Sequence, residues 1–117
     1  MKRGEIWTVA GGGDYAGKPR PAAIVQDDAF EATASVTLCA FTTDPTEAPL
    51  LRLPVMPSED NGLRAECRLM VDKLTTVHRS KLRTRVGRLA DEDVLRLNRA
   101  ILVFLGLATT GHGATKR

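Results

Sequence analysis

One run, Gly17-Lys18-Pro19-Arg20-Pro21-Ala22-Ala23-Ile24-Val25-Gln26-Asp27-Asp28, constrains this chain more than any other. Glycine permits backbone angles that other residues resist, and the two prolines fix φ and push Lys18 and Arg20 toward extended conformations. Arg20 is therefore expected on a stiff, extended lead-in. Ala22 to Gln26 reads as a strand buried on both faces, because consecutive small or branched apolar residues leave no polar side. A guanidinium at the mouth of a buried strand suits a phosphate. A structural ion pair would use the same residue equally well.

The remaining chain reads as strands, turns and one helix. Glu5 to Val9 alternates as a first strand, and Ala10 to Lys18 is a Gly-rich loop placed to act as a lid. That loop joins two strands and lacks the glycine spacing of a nucleotide-binding fingerprint. Asp27 to Ala34 reads as a turn or one short helical turn. Ser35 to Phe41 is a third strand, closed by Thr42-Thr43-Asp44-Pro45. Leu50 to Val55 is a fourth, placed at a sheet edge by Pro54. Pro57 to Gly62 is a turn, and Cys67 to Val77 is a long fifth strand bent near Lys73. Arg83 to Leu89 forms a sixth, with Arg83 and Arg85 on one face and Thr84 and Val86 on the other. Asp91-Glu92-Asp93 load the start of a helix whose apolar stripe is Val94, Leu97, Ile101 and Leu105. The second half of that helix is apolar all round, which calls for a subunit interface as well as a core contact. Residues 109–117 read as a disordered tail. The expected fold is mainly β with one C-terminal helix, a small antiparallel barrel.

At 117 residues the chain fits a single domain, and no window reaches the roughly 18 uninterrupted apolar residues a membrane span needs. No apolar signal core follows Met1-Lys2-Arg3, so a cytoplasmic protein is expected. Cys39 and Cys67 are too few for a disulfide framework or a structural zinc site and read as buried free thiols. Neither His78 nor His112 has ligand-spaced partners, and no nucleophile motif surrounds any serine or cysteine. Charge is unevenly placed: residues 1–58 carry five Lys/Arg against seven Asp/Glu, and residues 59–117 carry twelve against seven. Arg79, Lys81, Arg83, Arg85 and Arg88 fall in a stretch without an acid, pointing to a polyanion, or else to a solvated basic strand. Arg20, Thr42 or Thr43, Asp72 and this basic run together suit metal-free phosphoryl chemistry on a nucleic acid.

These residues also carry a resemblance. Arg-Gly-Glu-Ile-Trp at 3–7, Gly-Lys-Pro-Arg-Pro-Ala-Ala-Ile-Val at 17–25, Ala40-Phe41-Thr42-Thr43 and Val86-Gly87-Arg88-Leu89 occur in order across residues 3–108. Together they resemble the MazF/PemK family of toxin ribonucleases. The resemblance implies a dimeric SH3-like barrel over residues 1–108 that needs no cofactor. It implies an endoribonuclease of a type II toxin–antitoxin system, cutting single-stranded RNA at short sequences through a 2′,3′-cyclic phosphate. Such an mRNA interferase stops translation and growth until a cognate MazE-like antitoxin neutralises it. The family's catalytic positions fall on Arg20, Thr42 and Asp72, and Lys18, Gln26, Thr43, Arg83 and Arg85 are expected to contact RNA. Asp72 would serve as a base if burial raised its pKa, or would form a salt bridge to a neighbouring cation. A second arginine of some relatives corresponds here to Met70, and the family's loop glutamate to Asp14, with Pro19 an extra residue nearby. Two other readings share the composition: a CcdB-like gyrase poison, although the helix ends Phe104-Leu105-Gly106 without a tryptophan, and a non-catalytic nucleic-acid-binding regulator. The antitoxin's acidic segment is expected to land on the run from Arg79 to Arg88.

Overall fold

The computed structural model describes residues 1–11 and 18–109. The centre of the Gly-rich loop and nearly all of the tail expected at 109–117 lie outside the described residues. Six strands are present: β1 (Glu5–Val9), β2 (Arg20–Ile24), β3 (Ser35–Thr42), β4 (Arg52–Val55), β5 (Cys67–His78) and β6 (Leu82–Arg88). One helix, α1 (Asp91–Phe104), follows, and short 3-10 turns occupy Asp28–Phe30 and Arg79–Lys81. The strands form one sheet in the order β4-β5-β3-β2-β1-β6, with every neighbouring pair antiparallel. The mainly β architecture with a terminal helix is as expected from the patterning.

Alternation along the central strands sorts side chains onto two apolar faces. On one, Ile6, Ala23, Cys39, Phe41, Leu69 and Val71 pack with Leu89 and with Leu97 of α1. On the other, Ala22, Ile24, Val36 and Leu38 pack with Leu82 and are flanked by Trp7, Val9 and Val77. The two clusters explain why Ala22 to Ile24 carries no polar side: β2 is covered from both directions.

The strand ladder leaves β4 and β6 as edges, and a loop spans the gap between them. Asn61 is buried; its Oδ1 accepts from the backbone N–H of Ser58 and Leu63, each at 2.9 Å, and its Nδ2 donates to Met56 O at 2.8 Å. Arg88 N–H donates to Asp60 O at 2.9 Å, tying this loop to β6. Gly62 adopts φ +69°, a conformation open to glycine at little cost. A Cβ on Gly87 would stand 2.4 Å from Asp60 O. The Asn-Gly pair is thus a turn, as its sequence suggested, and it ties the loop after β4 to β6; β4 and β6 do not pair, so the expected barrel is an open sheet bridged by this loop.

Several element bounds shift. β2 begins at Arg20 and ends at Ile24, because Gln26 turns its side chain onto the backbone of Thr37 and ends the ladder. β4 begins at Arg52, leaving Leu50 60% exposed, while Pro54 does occupy an edge strand. The bend in β5 is present as a register shift opposite Cys39 to Phe41. Ala90 precedes α1 without a side-chain cap; its carbonyl instead accepts from Asp93 and Val94. Leu105 leaves the expected stripe, since the helix ends at Phe104, and it joins Leu102, Phe104 and Leu107 on the exposed surface.

Candidate nucleic-acid interface

Strand pairing places Arg20 and Thr42 at the same end of β2 and β3. The β2–β3 register ends at Ala22 and Ala40, two residues short of Arg20 and Thr42 on their own strands. Thr42 pairs with Arg68 of β5, and Arg20 with Val9 of β1. Each of these cross-strand pairs has its two side chains on one face of the sheet. The Thr42 hydroxyl accepts from the Asp44 N–H at 3.1 Å, which leaves its own proton to donate. Arg68 is largely buried, with its guanidinium 3.4 Å from Glu47 and 3.8 Å from Glu66.

On the opposite face of the same strand mouths lies a groove of about 730 Å³. Pro19, Pro21 and Thr43 form one side, and Arg64, Arg83, Thr84 and Arg85 the other. β6 shows two register shifts against β1, between Ile6 and Trp7 and between Trp7 and Val9. Arg83, Thr84, Arg85 and Val86 all border the groove, with Arg85 reaching Glu5 and Val86 packing against the core that holds Ile6 and Leu97. Glu5 anchors the wall: it accepts from Trp7 Nε1 at 2.9 Å and lies 3.4 Å from Arg85 Nε. Burial pushes the Glu5 pKa up, but the Trp7 bond, the Lys2 backbone N–H and the nearby positive charges outweigh it and hold the carboxyl below its ordinary value.

The other expected residues fall elsewhere. Asp72 shares the face of Thr42 but stands beside the bend in β5 and forms a partly buried ion pair with Arg52 of β4. The salt-bridge alternative for Asp72 is the one present. Gln26 lies at the far end of β2 from Arg20, with its amide committed to Phe30 O and to the backbone N–H of Thr37. Lys18 is exposed beside Pro19. Arg79 is used by the fold, donating to the carbonyls of Glu31 and Thr33 and to Met1 Sδ, so the basic run is not a single surface. Arg88 faces Asp91 at 3.3 Å. Cys39 and Cys67 are buried free thiols, and burial pushes Cys39 up to about 12. Arg52, Arg64 and Arg68 had no sequence signal. Strand pairing and the Asn61 loop place them.

Fold and groove define a small β protein of one sheet and one helix, equipped to grip a polyanion. A family model for PemK-like, MazF-like toxins of type II toxin–antitoxin systems matches residues 2–105. The chain is 57% identical over 108 residues to a probable endoribonuclease MazF of Mycolicibacterium smegmatis, covering 92% of this chain and 99% of that relative. It is 25% identical over 116 residues to endoribonuclease MazF9 of Mycobacterium tuberculosis, covering 92% and 98% of the two chains. The solved Mycobacterium tuberculosis toxin MazF-mt6 has the same fold, with a TM-score of 0.75 at 23% identity over 90% of this chain and 99% of that one. So does a mycobacterial endoribonuclease solved with its cognate antitoxin, with a TM-score of 0.72 at 22% identity over 93% and 96%. The chain belongs to the PemK-like, MazF-like toxins of type II toxin–antitoxin systems.

Proposed function

We propose that the chain is a cytoplasmic endoribonuclease that cleaves single-stranded RNA without a metal ion and is held in check by a MazE-like antitoxin. The observation that supports this reading is a groove bordered by Arg64, Arg83 and Arg85 at the end of the sheet where β2 begins with Arg20 and β3 ends with Thr42. RNA supplies its own nucleophile: the 2′-oxygen attacks the adjacent phosphorus, the P–O5′ bond breaks, and a 2′,3′-cyclic phosphate and a 5′-hydroxyl result. The 2′-hydroxyl loses a proton and the departing 5′-oxygen gains one. Arg20 stays charged and bridges two phosphate oxygens, stabilising the pentacoordinate phosphorus. The Thr42 proton donates to the same oxygens. Asp72, bound to Arg52, acts as a positioning residue that keeps a second guanidinium on this face. Thr43, Arg83 and Arg85 hold the flanking strand, joined by Arg64 and, at the rim, Lys18. Gln26 serves the β2–β3 connection.

The antitoxin's acidic segment, on this reading, occupies the groove of Arg64, Arg83 and Arg85 and not the surface near Arg79. The exposed apolar end of α1 pairs two copies into a dimer. No helix among the described residues is long and apolar enough to cross a membrane. The test is incubation of long single-stranded RNA with the purified chain in excess EDTA, beside Arg20→Ala, followed by end-group analysis. Discrete cuts with 5′-hydroxyl ends that disappear in Arg20→Ala are expected. Intact RNA with the wild-type chain would overturn the reading and favour a binding protein, or a gyrase poison if RNA did not bind.

A further inference from the structure

The mouth of β2 divides two hollows, one bordered by Arg64, Arg83 and Arg85 and the other apolar but for Arg20 and Thr75. Pro21 belongs to the rim of both. On its far side from the arginine groove, on the face that carries Arg20, lies a cup of about 240 Å³. Ala22 and Ala40, facing each other in register, form its floor, and Val9, Leu38 and Val77 its walls. Thr75 stands exposed at the lip. The depth of the cup follows from the two alanines: any larger side chain at either position would fill it.

We propose that this cup is a subsite for one unstacked nucleobase, the base of a nucleotide whose phosphate lies at Arg20 and Thr42. The inference rests on the endoribonuclease reading above. An apolar hollow alone would take any apolar group, but here the group must be joined to an anion. Arg20 and Thr42 lie two residues along their strands from Ala22 and Ala40, about 7 Å at the rise of a β-strand. A nucleotide spans that interval from phosphate through ribose to base, with a charged end and a flat, weakly hydrated end. The cup excludes water from the base on both faces, and the guanidinium meets the phosphate. Thr75 offers the lining's one side-chain hydroxyl, able to donate or accept, so shape sets most of the preference at this position. The arginine groove across Pro21 then receives the neighbouring backbone. RNA crosses the strand mouth as over a saddle, with a base on one slope and phosphates on the other.

The experiment uses one oligoribonucleotide that the wild-type chain cuts, and a set of copies each lacking a single base. Ala40→Leu fills the cup from its floor. Thr75→Leu crowds it from the exposed lip and places no demand on the core. For the wild type, removal of one base beside the cut should slow cleavage at least tenfold. In both variants the intact oligonucleotide should be cut at least tenfold more slowly, and removal of that same base should make no further difference. Other base removals should keep their wild-type effect. Wild-type rates and base dependence in both folded variants would overturn the subsite. A shift between monomer and dimer in sedimentation, with the base dependence intact, would assign the cup to a second copy of the chain and overturn it as well. If the wild-type chain cuts no RNA, the endoribonuclease reading fails by itself. Binding of a mixed-sequence single-stranded oligoribonucleotide and of copies each lacking one base, measured by fluorescence anisotropy, then decides: base-dependent affinity lost in Thr75→Leu keeps the subsite, and equal affinities remove it.

Discussion

Replacing Gly87 with alanine tests how tightly the Asn61 loop is seated on β6. The new Cβ would lie 2.4 Å from Asp60 O and 2.5 Å from both the carbonyl carbon and the oxygen of Asn61, all backbone atoms. No side chain can swing aside to relieve these contacts. The loop itself is pinned by three Asn61 side-chain bonds between 2.8 and 2.9 Å, so relief requires the loop to move as a unit away from β6. Overpacking of this kind costs about 1–3 kcal/mol, and the lost bond from Arg88 N–H to Asp60 O adds about 1 kcal/mol. A total of about 3 kcal/mol corresponds to a melting temperature lower by roughly 12–18 °C for a domain of this size. Thermal and urea unfolding of Gly87→Ala measure it, with Gly106→Ala as the control. Gly106 has φ +78° and open space around it, so that variant should show only the cost of a positive φ, about 1 kcal/mol. If Gly87→Ala unfolds within about 0.5 kcal/mol of the wild type, or no lower than Gly106→Ala, the Asn61 loop is not held tightly against β6.

Two further outcomes are expected. Arg64→Ala should weaken RNA binding at all sequences, with the slope of log affinity against log salt reduced by about 0.7 and turnover at saturation retained; an unchanged slope would remove Arg64 from the RNA path. Burial holds the Cys39 thiol protonated up to about 12, whereas a free thiol ionises near 9.0, so the unfolded chain loses that proton first. The Cys39 contribution is then constant below pH 9 and falls by about 1 kcal/mol per pH unit above it. Urea titrations from pH 8 to 10 should show a steeper alkaline loss in the wild type than in Cys39→Ala, which keeps the contribution of Cys67, a second thiol that burial pushes up, and is less stable throughout; parallel pH profiles would refute it.

The strands were legible because each carries its own signal: alternation in Glu5 to Val9, apolar runs in β2 and β3, and a proline on the β4 edge. The helix was legible from its acidic first turn and from Val94 and Leu97. Its end was not, because apolar residues continue past Phe104 and hydrophobicity does not mark where a helix stops. Arg20 and Thr42 stood out by motif, yet their placement at the same end of the sheet follows only from the strand pairing. The bulges of β6 against β1 leave no mark on an Arg-Thr-Arg-Val pattern. Charge density likewise carries no direction. Five cations in one stretch part company in the fold, with Arg79 bound to carbonyls, Arg83 and Arg85 in the groove, and Arg88 beside Asp91.

Met70 shows most clearly why position along the chain is a poor guide to the chemistry of a sheet. Some members of the family the chain resembles carry a second arginine at this position. In the sheet, Met70 pairs across β4 with Arg52, and two residues before it Arg68 pairs with Thr42. Two guanidiniums therefore flank the position from a neighbouring strand and from its own. Both are neutralised in place, Arg52 by Asp72 and Arg68 by Glu47 and Glu66. Partly buried pairs of this kind hold a guanidinium in one geometry, and an arriving phosphate must compete with the resident carboxylates for it. Arg20 lies exposed and Arg68 largely buried, so charge at these strand ends is graded by burial more than by sequence position.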